Sequence, residues 1–163
     1  MGHLIIIRGP LGSGKSTISK KLAERLNAVY ISIDAVLEEN YLDKSNPDIG
    51  CIPAKNFIKA NEIILPEIKK QLKGGKTVIL DGNFYYKEAI KHLIKELNFP
   101  HHVFTLKVPV DVCIERDRNR NKSYGEDAAR AVHMLVSRFD YGVKVDAIKP
   151  LNDILDEILI HLQ

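Results

Sequence analysis

The segment from Gly9 to Ser16 constrains this chain more than any other. It reads Gly-Pro-Leu-Gly-Ser-Gly-Lys-Ser and fits the pattern G-x-x-x-x-G-K-S, which is typical of a loop that binds phosphate groups. The apolar stretch 3–7 leads into it, and residues 17–27 leave it with apolar side chains at helical spacing. A glycine-rich turn that binds nothing is the alternative, but the complete pattern and its flanks favour phosphate binding.

The residue types of this segment suit the phosphates of a nucleotide. Glycines let successive backbone N–H groups point at phosphate oxygens, and the following helix adds the positive end of its dipole. We expect Lys15 to reach the β- and γ-phosphates and the Ser16 hydroxyl to bind Mg²⁺. The residues expected to hold the nucleotide are Gly9, Pro10, Leu11, Gly12, Ser13, Gly14, Lys15, Ser16 and Thr17.

Length and composition predict one globular domain spanning residues 1–163, since ~100–200 residues is usual for a domain. No apolar run approaches the ~20 residues that cross a bilayer, and the first core strand begins at the N-terminus. We therefore expect a cytoplasmic protein with no signal peptide and no membrane contact. Cys51 and Cys113 have no metal-like spacing, so we expect two reduced thiols. The net charge of +3 is too mild to predict a polyanionic partner.

Strands and helices alternate along the chain, which predicts an α/β fold with a five-stranded parallel sheet between layers of helices. The predicted strands are residues 3–7, 28–33, 77–81, 102–108 and 142–148. The predicted helices are residues 17–27, 35–42, 54–72, 87–97, 110–121, 127–139 and 150–162. Pro66 interrupts the third helical pattern, so we expect a kink there or two abutting helices.

Two carboxylates occur where predicted strands stop, at the edge of a parallel sheet where ligands bind. Asp34 follows the second strand and is the candidate general base for an acceptor hydroxyl, although Asp is also a common helix N-cap. Asp81 follows the third strand and is the candidate ligand of Mg²⁺, although Asp-Gly is also a common turn pair.

A basic cluster follows the fourth strand, in a segment that we predict to be a lid over residues 116–130. It contains Arg116, Arg118, Arg120 and Lys122. Arg116 and Arg120 share a helix face, and guanidinium groups suit phosphate contacts and stacking on a base. We expect both to bind ATP and to act in transfer; a solvated helix face is the alternative reading.

Three segments resemble the small P-loop kinases, which include gluconate kinase, shikimate kinase, chloramphenicol phosphotransferase and polynucleotide 5′-kinase. Residues Ile33–Glu38 look like the segment of chloramphenicol phosphotransferase that carries the proposed base. Residues Val78–Phe84 are similar to the Asp-x-Asn-Leu segment of polynucleotide kinases, and Met134–Phe139 resemble the helix that follows the lid in gluconate kinases. The resemblance covers nearly the whole chain.

This resemblance implies a P-loop NTPase fold like that of nucleoside monophosphate kinases, with a short arginine-rich lid. It implies that a lid arginine, Arg116 or Arg120, stacks on adenine and that the loop at Lys149 lies near the base. Asp81-Gly82-Asn83 stands where shikimate kinases carry a glycine triplet and gluconate kinases a different stretch. The resemblance therefore supports the reaction without identifying one substrate.

We accordingly expect a kinase that uses ATP and Mg²⁺ to phosphorylate a hydroxyl of a small metabolite, a nucleoside or a nucleic-acid 5′ end, with no obligate protein partner. A non-catalytic or regulatory nucleotide-binding protein is the alternative, and the absence of an Asn-Lys-x-Asp motif disfavours a GTPase switch. The acceptor is expected to contact residues 35–60 and 84–88. There Phe84, Tyr85 and Tyr86 either form an apolar wall for it or pack between strand and helix.

Overall fold

The computed structural model describes all 163 residues and contains one parallel sheet of five strands in the order β2-β3-β1-β4-β5. The strands are β1 Leu4–Arg8, β2 Val29–Ser32, β3 Val78–Gly82, β4 His101–Lys107 and β5 Val143–Asp146. All four strand pairings are parallel. The predicted α/β class and five-stranded parallel sheet are confirmed.

Seven helices cover the two faces of this sheet. They are α1 Lys15–Leu26, α2 Ile33–Glu39, α3 Ala54–Lys73, α4 Lys87–Leu97, α5 Val110–Arg118, α6 Glu126–Val136 and α7 Leu151–His161. Alternate residues of β1 enter different cores: Leu4 and Ile6 pack with α2, α3 and α4, whereas Ile5 and Ile7 pack with α1 and α7. A central strand buried on both faces explains the unbroken apolar run before Arg8.

Some predicted boundaries were wrong for identifiable reasons. Helix α2 begins at Ile33 because the Ser32 hydroxyl caps it, accepting a hydrogen bond from the Ala35 N–H at 3.2 Å. Helix α3 runs through Pro66 as one helix and not as two abutting helices. Helix α6 ends at Val136, where its last carbonyl accepts a hydrogen bond from the buried Arg8 side chain at 2.8 Å.

The strand register gathers the predicted functional positions at one edge. Asp81 is paired with Ile7 of β1 and with Ser32 of β2, so the loop after β1, helix α2 and the end of β3 converge. Both cysteines are free and buried, as expected from their spacing. None of the helices combines the length and apolar character needed to cross a membrane.

Candidate active site

The phosphate-binding loop, residues 9–16, joins β1 to α1 and is held in shape by glycines. Gly12 and Gly14 have positive φ angles of 78° and 85°. A Cβ atom on Gly12 would lie 2.3 Å from the carbonyl oxygen of Cys113, so the loop packs directly against α5. Gly14 caps α1 without a side chain, which leaves the N–H groups of the first turn available to a phosphate.

Lys15 and Asp34 face each other at the carboxyl edge of the sheet. Lys15 is buried, and its Nζ lies 3.6 Å from Oδ2 of Asp34. Oδ1 of Asp34 accepts a hydrogen bond from the Asn83 N–H at 3.3 Å. Because Ser32 is the cap of α2, the alternative reading of Asp34 as the N-cap is wrong. Asp34 remains one-third exposed, so it is accessible from the cleft.

Asp81 is almost fully buried behind this pair, with 1% of its surface exposed. Its Oδ2 accepts a hydrogen bond from the Tyr30 hydroxyl at 2.8 Å, whereas its Oδ1 has no hydrogen-bond partner. Burial raises the pKa of Asp81, and the Tyr30 hydroxyl and the charge of Lys15 oppose that rise. Burial also raises the pKa of Tyr30, so its hydroxyl stays protonated and donates.

The residues at this edge fit Mg²⁺. They offer oxygen donors, namely the Ser16 hydroxyl and the unpartnered Oδ1 of Asp81. No group of three or more His, Cys, Asp or Glu side chains forms a metal cage. Mg²⁺ bound with a nucleotide needs no such cage, because phosphates and waters supply most of its six ligands.

The turn after β3 is strained and tightly held. Phe84 is fully buried and has a φ angle of 41°, a left-handed conformation that costs a bulky residue roughly 1–3 kcal/mol. Its carbonyl accepts a hydrogen bond from Nε of Arg8 at 3.3 Å. Burial and the hydrogen bond from Arg8 therefore hold Phe84 in this strained conformation. The turn held in this way sets the position of Asn83 beside Asp34.

Arg8 is a residue whose role the sequence reasoning missed. Its side chain is fully buried, and its Nη1 and Nη2 donate to the carbonyls of Phe139 and Val136 at 2.9 and 2.8 Å. Its guanidinium lies 4.2 Å from the centre of the Phe139 ring. Burial lowers the pKa of Arg8 to about 10, so it stays charged at neutral pH. The sequence did carry one signal for this role: an arginine ends an apolar strand directly before a glycine-rich loop.

The predicted lid arginines lie beside the phosphate-binding loop. Arg116 donates to the carbonyls of Ser13 at 3.2 Å and Ala147 at 3.3 Å. Arg120 is exposed, and both arginines line one cavity of about 340 Å³. The other residues around that cavity include Gly12, Gly14, Thr17, Ile18 and Lys149. The structure thus brings together the positions expected to surround ATP.

Asp117 shapes the loop that joins α5 to α6. Its buried carboxylate accepts hydrogen bonds from the Ser123 hydroxyl at 2.8 Å and from the N–H groups of Tyr124 and Gly125. This turn ends α5 at Arg118, three residues before its predicted end. It also holds the segment that carries Arg120 close to the cavity.

The two tyrosines after β3 are packed and hydrogen bonded. The Tyr85 hydroxyl accepts from the Ile52 N–H at 3.1 Å, and the Tyr86 hydroxyl donates to the Ile52 carbonyl at 2.8 Å. Both rings meet Phe57 edge-on, with centroids 5.0 and 5.7 Å away. The predicted packing of these tyrosines is therefore confirmed, and the pair connects the loop before α3 to the end of β3.

The fold and the loop after β1 together define a P-loop protein of the kinase type. Residues 4–139 match the family described as AAA domain, and the chain belongs to that family. It is 26% identical over 151 residues to UMP-CMP kinase 2 of Caenorhabditis elegans, a match covering 86% of this chain and 78% of that protein. It is 35% identical over 94 residues to shikimate kinase of Haemophilus influenzae (strain PittEE), covering 52% of this chain and half of that enzyme.

Solved structures share the whole fold. A gluconokinase from Sinorhizobium meliloti 1021 superposes with a TM-score of 0.74 at 19% identity, covering 98% of this chain and 91% of that one. Shikimate kinase from Aquifex aeolicus vf5 superposes with a TM-score of 0.62 at 21% identity, covering 98% and 95%. These structures establish the architecture of a P-loop kinase for the present chain.

Proposed function

We propose that this protein is a kinase that transfers the γ-phosphoryl group of ATP, with Mg²⁺, to a hydroxyl of a small metabolite, a nucleoside or a nucleic-acid 5′ end. The observation that carries the proposal is the Lys15–Asp34 pair, with 3.6 Å between Nζ and Oδ2. In this pair, the positive charge of Lys15, which can stabilise the transferred phosphoryl group, lies beside the partly exposed carboxylate of Asp34.

Each residue has a defined part in this reaction. Asp34 accepts the proton of the acceptor hydroxyl as its oxygen bonds to the γ-phosphorus. The bond from that phosphorus to the bridging oxygen breaks, and ADP leaves with the electron pair. Lys15 and the N–H groups of the phosphate-binding loop stabilise the charge on the transferred group. Ser16 and Asp81 would hold Mg²⁺, which would supply neutralising charge to the phosphates.

The lid residues bind the nucleotide in this proposal. Arg116 and Arg120 border the 340 Å³ cavity from α5 and the following loop, and Lys149 borders it from the loop after β5. Ile18, Leu151 and Ile154 also line this cavity. A cavity with apolar side chains and two guanidinium groups suits an adenine ring, which stacks on a planar cation.

An acceptor screen that follows ADP release tests the proposal. The compounds are small alcohols, sugars, nucleosides and 5′-hydroxyl oligonucleotides, with ATP and Mg²⁺ present and product phosphate esters checked by ³¹P NMR. We expect ADP release that depends on an acceptor and is absent in Lys15→Ala. Tight ATP binding with no acceptor-dependent ADP release would identify the chain as a regulatory nucleotide-binding protein or a simple NTPase.

A further inference from the structure

A fully buried arginine ends the central strand at the edge of the proposed site. Arg8 is paired with Gly82 of β3 and with Thr105 of β4. Its side chain follows the alternation of β1 and lies on the side of the sheet that α2, α3 and α4 cover. A buried charge is costly, and an apolar side chain of similar volume is often at least as stabilising. This cost calls for a role of Arg8 beyond filling the core.

The guanidinium of Arg8 joins three segments that are distant in sequence. Its Nε donates to the Phe84 carbonyl at 3.3 Å. Its Nη1 donates to the Thr105 hydroxyl at 3.2 Å and to the Phe139 carbonyl at 2.9 Å, and its Nη2 donates to the Val136 carbonyl at 2.8 Å. Because the N–H donors of a guanidinium have fixed directions, these bonds set the position of the turn after β3 relative to β4 and the end of α6.

The turn after β3 connects Arg8 to the proposed base. The backbone N–H of Asn83 in this turn donates to Oδ1 of Asp34 at 3.3 Å. A Cβ atom on Gly82 would lie 3.1 Å from Cβ of Ile33, the residue before Asp34, so the turn also packs closely on the start of α2. A movement of the turn would therefore move the carboxylate of the base.

The carboxylate of Asp34 has two partners in the protein. They are the ammonium of Lys15 at 3.6 Å and the N–H of Asn83. In the proposed reaction Lys15 binds the γ-phosphate, so the N–H of Asn83 is the partner that continues to orient the carboxylate. A misplacement of about 1 Å at a reacting group can cost ~10²-fold in rate. The position of the turn therefore bears directly on transfer.

We propose that Arg8 is a positioning residue for transfer, which holds the turn 82–84 so that the N–H of Asn83 directs the carboxylate of Asp34 at the acceptor hydroxyl. Arg8 is fully buried and acts through the backbone of the turn. This inference rests on the proposed kinase function. It adds to that function a residue that lies outside the G-x-x-x-x-G-K-S pattern.

The kinetics of Arg8→Lys test this role. Lysine keeps the positive charge, but its single ammonium cannot reach the Phe84 carbonyl and the carbonyls at the end of α6 together. With the best acceptor from the screen, we expect kcat to fall about 10–100-fold and calorimetric ATP affinity to hold. Arg25→Lys, at an exposed ion pair with Asp156, is the matched control and should keep the wild-type kcat. A wild-type kcat in folded Arg8→Lys would overturn the inference and leave the kinase function intact.

A double-mutant cycle separates positioning of the base from a general loss of structure. The kcat of Arg8→Lys/Asp34→Asn should lie within about twofold of that of Asp34→Asn alone, because the base that Arg8 positions is already gone. Rates are compared per folded molecule, with the folded fraction measured by denaturant unfolding. A further loss of about tenfold or more in the double variant would count against positioning and overturn the inference.

Amide hydrogen exchange follows the same contact without turnover. In Arg8→Lys we expect exchange at the N–H of Asn83 to become at least about tenfold faster than in wild type, with exchange in α7 unchanged. Unchanged exchange at Asn83 would overturn the path through the turn even if kcat falls.

A milder variant replaces Arg8→Lys if that protein does not fold. Phe139→Leu removes the aromatic ring that lies 4.2 Å from the guanidinium and leaves the backbone carbonyl in place. We expect the same directions of change, with kcat lower by about two- to tenfold. Wild-type kcat and exchange in Phe139→Leu would then overturn the inference. A wild-type protein that phosphorylates no acceptor would remove the proposed function and this role of Arg8 with it.

Discussion

Nζ of Lys15 lies 3.6 Å from Oδ2 of Asp34, which joins the first turn of α1 to the first turn of α2 across the carboxyl edge of the sheet. The lysine side chain is 8% exposed and the aspartate side chain 34% exposed. A γ-phosphate that binds Lys15 competes with Asp34 for the same cation. In the proposed reaction, we therefore expect nucleotide binding to free the carboxylate for the acceptor hydroxyl.

Lys15→Ala should remove turnover and leave the fold intact. The lysine stabilises charge that develops during transfer, and loss of one such group typically lowers the rate ~10²–10³-fold. Steady-state ADP release and thermal unfolding are measured together. Lys21→Ala, on the exposed side of the same helix, is the control and should keep the wild-type rate. A Lys15→Ala protein with near-normal turnover would refute the assigned role of the phosphate-binding loop.

The two lid arginines should behave differently on substitution. Arg120→Ala should weaken ATP binding and change the free energy of unfolding by less than ~0.5 kcal/mol, because Arg120 is exposed. Arg116→Ala should weaken ATP binding and also destabilise the fold, by about 1–3 kcal/mol, because Arg116 donates to two backbone carbonyls. Calorimetric ATP titration and denaturant unfolding measure both effects. Unchanged ATP affinity in both variants would exclude these arginines from the nucleotide site.

Asp81→Asn should make the protein more stable and less active. Burial raises the pKa of Asp81, so the folded carboxyl keeps its proton to a higher pH than the unfolded one. The stability that the Asp81 carboxyl contributes is present below its pKa in the unfolded state. That stability is lost as the pH rises through its pKa in the folded state. The neutral amide does not lose this stability. The melting temperature of the variant should therefore exceed that of wild type at neutral pH, and the difference should shrink in acid.

Activity should change in the opposite direction in Asp81→Asn. Loss of a carboxylate that orders a metal or its waters typically costs about 10–100-fold in metal affinity or rate, so the Mg²⁺ requirement should rise. Asp156→Asn, at an exposed acid of α7 outside the site, is the control for both measurements. Equal Mg²⁺ dependence in Asp81→Asn and wild type would exclude Asp81 from the metal site.

Arg8→Met should destabilise the protein by more than about 3 kcal/mol, because it leaves several buried carbonyls without a donor. Arg25→Met removes an exposed ion pair with Asp156 and should cost less than ~1 kcal/mol. Denaturant unfolding of both variants makes the comparison. A small loss in Arg8→Met would show that Arg8 does not hold the turn at Phe84.

The fold could be read from the sequence because local patterns and tertiary structure agree there. The apolar run before Arg8 is long enough for a central strand, and the loop 9–16 requires a strand before it and a helix after it. Parallel pairing then places Asp34, which follows β2, and Asp81, which lies near the end of β3, at one edge. The observed helix boundaries differ from the predicted ones where a side chain caps a helix end, as Ser32 does at the start of α2.

Other features could not be read because they depend on contacts between distant segments. The partners of Arg8 lie at Phe84, Val136 and Phe139, and no local pattern links them. The left-handed Phe84 is invisible in sequence, since a bulky residue rarely adopts that conformation. The tyrosine contacts to Ile52 likewise arise only when the loop before α3 reaches the end of β3.

The transfer rate of Asp34→Asn, measured with ATP affinity across a Mg²⁺ series, tests the central claim most directly. The amide keeps the size of the side chain and removes its charge and basicity. General-base catalysis is typically worth ~10²–10⁴-fold, so the rate should fall by about that factor while ATP affinity holds at every Mg²⁺ concentration. ATP affinity that falls in a Mg²⁺-dependent way would make Asp34 a metal ligand, and a wild-type transfer rate would contradict its role as the base.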